Sequence, residues 1–164
     1  MEPRFTVHSQ YNEKEAISFN RALLFNVWNL KKTTIVTNIA LLVMLVTSLI
    51  AHNYMFAISL LFAMAVFNWY FFMGVDMKAA RAYHKNKQIH DQEFVFYFHD
   101  DQYESNTQDG TTSCVPYSTL HMIIETPTNI YIMHAPTVGT IIQKANCPDG
   151  FIDFIHEIKK RYKI

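Results

Sequence analysis

The chain has 164 residues, 50% of them hydrophobic, and its fourteen basic and fourteen acidic residues cancel to zero net charge. That length holds one ordinary domain, or a small membrane unit carrying a small domain. The two cysteines, Cys114 and Cys147, form no CxxC pair, which argues against a disulfide framework and for two reduced thiols.

The neutral total hides a division along the chain. Residues 1–32 hold five basic and three acidic residues, 76–90 hold four and one, and 91–164 hold five and ten. Residues 33–73 are almost free of charge, so a basic region flanks an apolar block and an acidic tail follows it.

In chain order, Met1 to Tyr11 is polar and mixed, which predicts no cleavable leader, and Phe5–Thr6–Val7–His8 reads as a short strand. Asn12 to Lys32 mixes Ile17, Leu23, Leu24, Val27, Trp28 and Leu30 with charged residues, the pattern of a partly amphipathic helix. Two uncharged runs then follow, Thr33 to Ala51 and Met55 to Met73, parted only by His52, Asn53 and Tyr54. A helix needs about 20 apolar residues to cross a hydrocarbon core, so a transmembrane hairpin is expected over 33–75. Asn38 and Asn68 fall at matched depths in such a hairpin, as do Thr47 and Ser59; a hairpin-locking hydrogen bond between Asn38 and Asn68 is expected, with an ion path as the alternative. Lys31 and Lys32 precede the first run, whereas Lys78, Arg81 and Lys85 follow the second, and the connecting turn has no Lys or Arg. These five form a basic collar, and the positive-inside rule places both termini in the cytoplasm.

Asp76 to Ile89 contains no helix breaker and continues the second run as a charged helix, giving a basic extension over 76–91. From Gln92 the period changes to two. Phe94, Phe96 and Phe98 share a strand face, Asp100–Asp101 makes a turn, and Asp109–Gly110 signals a hairpin. Leu120, Met122 and Ile124 mark a fourth strand of this region, and strands at Ile130–His134 and Gly139–Lys144 complete six. The last helix carries Phe151, Phe154, Ile155, Ile158 and Tyr162 as one stripe, with Asp153 and Glu157 early and Lys159, Lys160 and Arg161 late. The fold class expected is therefore α+β: a transmembrane hairpin with a small antiparallel β-sheet domain, 92–164, closed by a C-terminal helix. The 1–32 region supplies a strand that can join the same sheet, and a juxtamembrane helix.

The opening FTVHSQYNEKEAISF, two adjacent spans, FVFYFHDDQYESNTQDGTTSCVPYSTLHMIIETPTNIYIM and the ending GFIDFIHEIKKRY together resemble the YcxB-like membrane proteins of bacteria. Where that family tends to carry Trp this chain has Tyr117, and where it tends to carry Pro-Lys this chain has Gln143–Lys144. The resemblance implies a pleckstrin-homology-like β-domain, and it carries over no functional residues and no established activity.

No phosphate loop, HExxH or GxSxG is present. The eight histidines scatter; His99 with Asp100 and Asp101 is the best local metal candidate, set against a solvated turn. Asp100, Asp101 and Glu104 around one hairpin lack an apolar pocket, and Cys114 lacks a basic neighbour, so no catalytic, metal or cofactor site is expected. The function expected is non-enzymatic: a membrane-anchored binding or regulatory protein whose cytoplasmic β-domain recognises an unidentified protein. The alternatives are a bacterial immunity protein that binds a toxin at the membrane, and a lipid-binding pleckstrin-like module. The acidic tail opposes the last of these. Nucleic acid is not an expected partner, while a homodimer is open. Docking of the acidic domain on the collar around Arg21, Lys32, Arg81 and Lys85 is a further expectation.

Overall fold

A computed structural model describes residues 2–27, 30–85, 91–107 and 110–164, the side chains of Lys31 and Phe72 excepted. Strand β1 spans Phe5–Tyr11 and helix α1 spans Glu13–Ala22. Asn12 caps α1, its side chain accepting from the Glu15 amide at 3.0 Å, and Glu13 and Glu15 favour the positive end of the helix. A π-turn over Leu23–Val27 follows, where Asn26 donates to the Ala22 carbonyl at 2.9 Å. Helices α2, Leu30–Ile50, and α3, Tyr54–Trp69, form an antiparallel hairpin whose turn has Asn53 capping α3 through the Phe56 amide. A second π-turn, Tyr70–Gly74, leads into α4, Val75–Lys85.

Among the described residues one helix, Lys32–Ile50, is long and apolar enough to cross a membrane, and only 6% of its apolar window is buried. The second apolar run is less regular than nineteen residues of uniform helix: α3 is 16 residues long before the π-turn interrupts it. Gly74 belongs to that turn, where an added Cβ would lie 2.9 Å from the Tyr70 ring.

The β-domain draws on both ends of the chain. β1 pairs antiparallel with β2, Gln92–Phe98, which pairs with β3, Gln102–Thr107, and then β4, Thr112–Pro116. A second sheet has the order β5, Met122–Glu125, β6, Asn129–Ala135, and β7, Val138–Gln143. Leu120, expected inside a strand, instead ends a 3-10 turn over Tyr117–Thr119, its amide bonding to the Tyr117 carbonyl. Likewise β7 stops at Gln143, and Lys144 opens a second 3-10 turn. Asp109 of the expected hairpin turn lies outside the described residues; Gly110 takes φ +77°, a conformation that favours glycine. In the second sheet Gly139 permits close approach of β6 and β7, since a Cβ there would stand 2.8 Å from the Ile132 carbonyl.

Helix α5, Phe151–Tyr162, covers the sheets. Phe151, Phe154, Ile155 and Ile158 are buried against Val7, Phe96, Phe98, Tyr117, Ile132 and Ile142. Each large side chain in that stripe contributes roughly 1.5–3 kcal/mol of burial. A smaller cluster, with Ile124, Tyr131, Met133 and Ile141 from the second sheet, receives Ala22, Phe19 and Leu23. The β-domain thus rests on the α1 side of the helical stalk through apolar contact.

Candidate functional site

Three polar groupings stand out once the strands are in register. The first lies in the hairpin. Asn38 donates to the Asn68 carbonyl oxygen at 3.3 Å, and Asn68 donates to that of Asn38 at 2.9 Å. Each amide also bonds back to its own helix, at Thr34 and Met64. Thr47 and Ser59, also at matched depths, bond to their own helices at Met44 and Phe56.

The second grouping joins α1 to the β-domain. Glu15 and Asn129 are both buried, and the Asn129 amide donates to the Glu15 carboxylate at 2.5 Å and to the Tyr131 hydroxyl oxygen at 3.1 Å. A buried carboxylate is costly without partners, so this contact fixes where α1 sits on β6. Burial in turn pushes the Tyr131 hydroxyl above its ordinary pKa.

The third is a triangle inside the domain. Tyr103 Oη lies 2.9 Å from His134 Nε2 and 3.0 Å from Thr140 Oγ1, and those two are 3.1 Å apart. Burial pushes Tyr103 up to about 12 and holds His134 below its ordinary value. A neutral imidazole presents one ring nitrogen as an acceptor, so Nε2 takes one hydroxyl proton while the second hydroxyl bonds to the first. The tyrosine stays protonated, which suits cohesion of β3 with β6 and β7 and leaves no activated nucleophile. A cavity of about 130 Å³ adjoins Thr140, with Phe94, Phe96 and Ser105 among its walls. At its edge Ser9 donates to the Ile141 carbonyl at 2.8 Å, and the Gln143 amide to Gln10 at 3.1 Å; side chains, in place of a backbone ladder, join β1 to β7.

Lys32, Arg81 and Lys85 are exposed, and the Lys31 side chain lies outside the described residues. Lys78 lies over the Tyr70 ring, 5.0 Å from its centroid, and donates to its hydroxyl. Arg21, expected to help seat the acidic domain, forms a two-pronged pair with Asp76 of α4.

Around the Asp100–Asp101 turn the side chains diverge. Asp100 and Asp101 are 75% and 84% exposed, while His99 is turned inward, its Nε2 3.7 Å from a Glu104 oxygen. Among the described residues no three His, Cys, Asp or Glu side chains converge as metal ligands. Cys147 is pushed up to about 11 by burial and bonds to the Gln143 carbonyl, which leaves it a poor nucleophile, and Cys114 stands exposed on β4.

The triangle and the Glu15–Asn129 contact escape a reading of the sequence alone. Gln102–Thr107 has no apolar alternation to show that Tyr103 points inward, and Glu15 looks like a member of an exposed helix face. Both follow from register and from which strand meets α1.

No curated protein and no solved structure matches the chain. Residues 98–155 match the family model described as YcxB-like protein, a stretch from the last residue of β2 into α5. That stretch covers a little over a third of the sequence and carries part of the resemblance; the opening segment and the two apolar runs lie outside it. Over that stretch the chain is similar to the YcxB-like family.

Proposed function

We propose that this protein is a membrane-anchored, non-enzymatic recognition module, multi-pass, with both termini in the cytoplasm. The pairing of β1 with β2 supports two crossings. Strands that pair lie on one side of a bilayer, so the chain between residues 11 and 92 crosses an even number of times or not at all. Lys32–Ile50 has the length, apolarity and exposure of a spanning helix, so α3 with its π-turn provides the return. A core helix of a water-soluble protein would be mostly buried, and this one is not. Asn38 and Asn68 lock the pair, a role their reciprocal bonds support. The basic residues on the α1 and α4 sides favour a cytoplasmic face for the β-domain.

Recognition of a protein is assigned to the β4 edge. The four-plus-three sheet arrangement under a closing helix supports the reading of this domain as a pleckstrin-homology-like module. Its first sheet ends at β4, which is largely exposed and carries no charged residue, in TSCVP. Strand edges exposed to solvent are normally blunted by charge, and an uncharged one is a template for an extended segment of a partner. A Cys114→Lys substitution places a charge on that edge and is expected to change stability by less than about 0.5 kcal/mol. Capture of the cellular partner by the full-length protein should drop at least tenfold. Equal capture by both forms would remove the assignment to β4, and substrate turnover by the purified protein would overturn the non-enzymatic reading.

A further inference from the structure

Helices α1 and α4 are tied at two levels, by Arg21 with Asp76 at the hairpin end and by Glu13 with His84, 3.2 Å apart, at the far end. Between the ties stand three alanines, Ala16, Ala79 and Ala82. Their small side chains fill little of the space between the ties, where a cleft of about 390 Å³ lies. Phe19, Leu23 and Leu24 form apolar walls, and none of the residues lining this cleft is charged. Its volume falls within the roughly 300–1,000 Å³ of small-ligand sites. Its polar groups, including Asn20 and the Tyr83 hydroxyl, are neutral.

A second hollow, of about 250 Å³, lies beside the Arg21–Asp76 pair, between Phe25 and Phe71 with Val75. Leu24 lines both hollows. Phe25 is exposed, and so are most large apolar residues of α2 and α3, so the lower hollow continues the apolar belt of the hairpin. Both π-turns, Leu23–Val27 and Tyr70–Gly74, fall at this level. Wide turns of this kind occur mostly as single turns inside α-helices and are frequent at functional sites.

We propose that the α1–α4 cleft binds one hydrocarbon chain of a bilayer lipid, which enters beside the Arg21–Asp76 pair and passes Leu24 into the space lined by the alanines. The absence of charge along the walls selects an aliphatic chain over a headgroup. Continuity with the exposed belt selects the bilayer as its source. The ion pair at the entrance keeps the polar end of the lipid near the headgroup level. This inference rests on the membrane reading given above.

The test uses the full-length protein in vesicles of phosphatidylcholine, a fraction of which carries a photoactivatable diazirine at the chain end. Adducts are mapped by peptide mass spectrometry. Labelling is expected on α2 and α3 and also on the peptides holding residues 16–24 and 79–83. Ala82→Phe should lower cleft labelling at least fivefold and leave hairpin labelling unchanged. Ala79→Leu, a smaller insertion, should lower it at least twofold, and it carries the test should the larger change disturb folding. A labelled hairpin with an unlabelled cleft overturns the proposal and leaves the membrane reading standing. No adduct on the hairpin overturns the membrane reading and the proposal with it. Cleft labelling that neither substitution lowers refutes the assignment to this site. Labelling by a free diazirine fatty acid added to detergent-purified protein, without labelling from the phospholipid, would reassign the cleft to a soluble ligand.

Discussion

His134 sits where β6 meets β3 and β7, with Tyr103 and Thr140 on the same ring nitrogen. Burial lowers its folded-state pKa below the ordinary 6.5. Below about pH 6.5 the unfolded chain takes up a proton that the folded chain resists, so this residue's contribution is present above that pH and declines as pH falls. Glu125 acts in a lower window. Hydrogen bonds from Lys144, at 2.6 Å, and from His156, at 2.8 Å, hold its carboxyl below the ordinary 4.5. Its contribution is present above that value and is lost as pH falls through the folded one. Denaturant midpoints of the full-length protein are expected to fall from pH 7.5 to 5.5, and to fall further near pH 4. His134→Gln should flatten the first decline and leave the second. Equal slopes in both proteins would show that another group carries the first. None of this is legible in the sequence, because eight scattered histidines give no sign of which one the strands turn inward.

At the scale of elements, the sequence speaks where a period or a depth constrains the answer. The stripe Phe151, Phe154, Ile155 and Ile158 marks α5 and its buried face. A turn of only three residues fixes the hairpin register closely enough to oppose Asn38 and Asn68. Replacing Asn38 with Leu leaves the Asn68 amide with its bond to Met64 alone, and is expected to cost about 1 kcal/mol. A double-mutant cycle with Asn68→Leu should recover part of that loss, and strict additivity of the two changes would refute the lock. The π-turns were illegible, since nothing in LLFNV or YFFMG departs from an ordinary apolar helix. The turn Tyr117–Thr119 displaced Leu120 from its strand for a related reason: alternation continues through a short turn as readily as through a strand.

For the whole molecule, the decisive contact is between the two ends. β1 covers the edge of β2, and its Val7 is fully buried with Phe96 and Phe98. Deletion of residues 2–11 is expected to expose that edge and the core beside it. The truncated protein should elute as aggregate from size-exclusion chromatography, and its surviving monomer should lose amide protection throughout 92–107. Retained protection would show that β2–β7 stand without β1. The same pairing imposes an order on synthesis. β1 is made first and its partner follows only after both apolar helices, so the sheet can close only in a chain whose hairpin has left residues 5–11 and 92–98 in the same compartment. On the two-crossing topology proposed above, closure of the β-domain would report that both helices had inserted. On that topology a chain with a single crossing would leave β1 unpaired on one face and the open, phenylalanine-rich edge of β2 on the other.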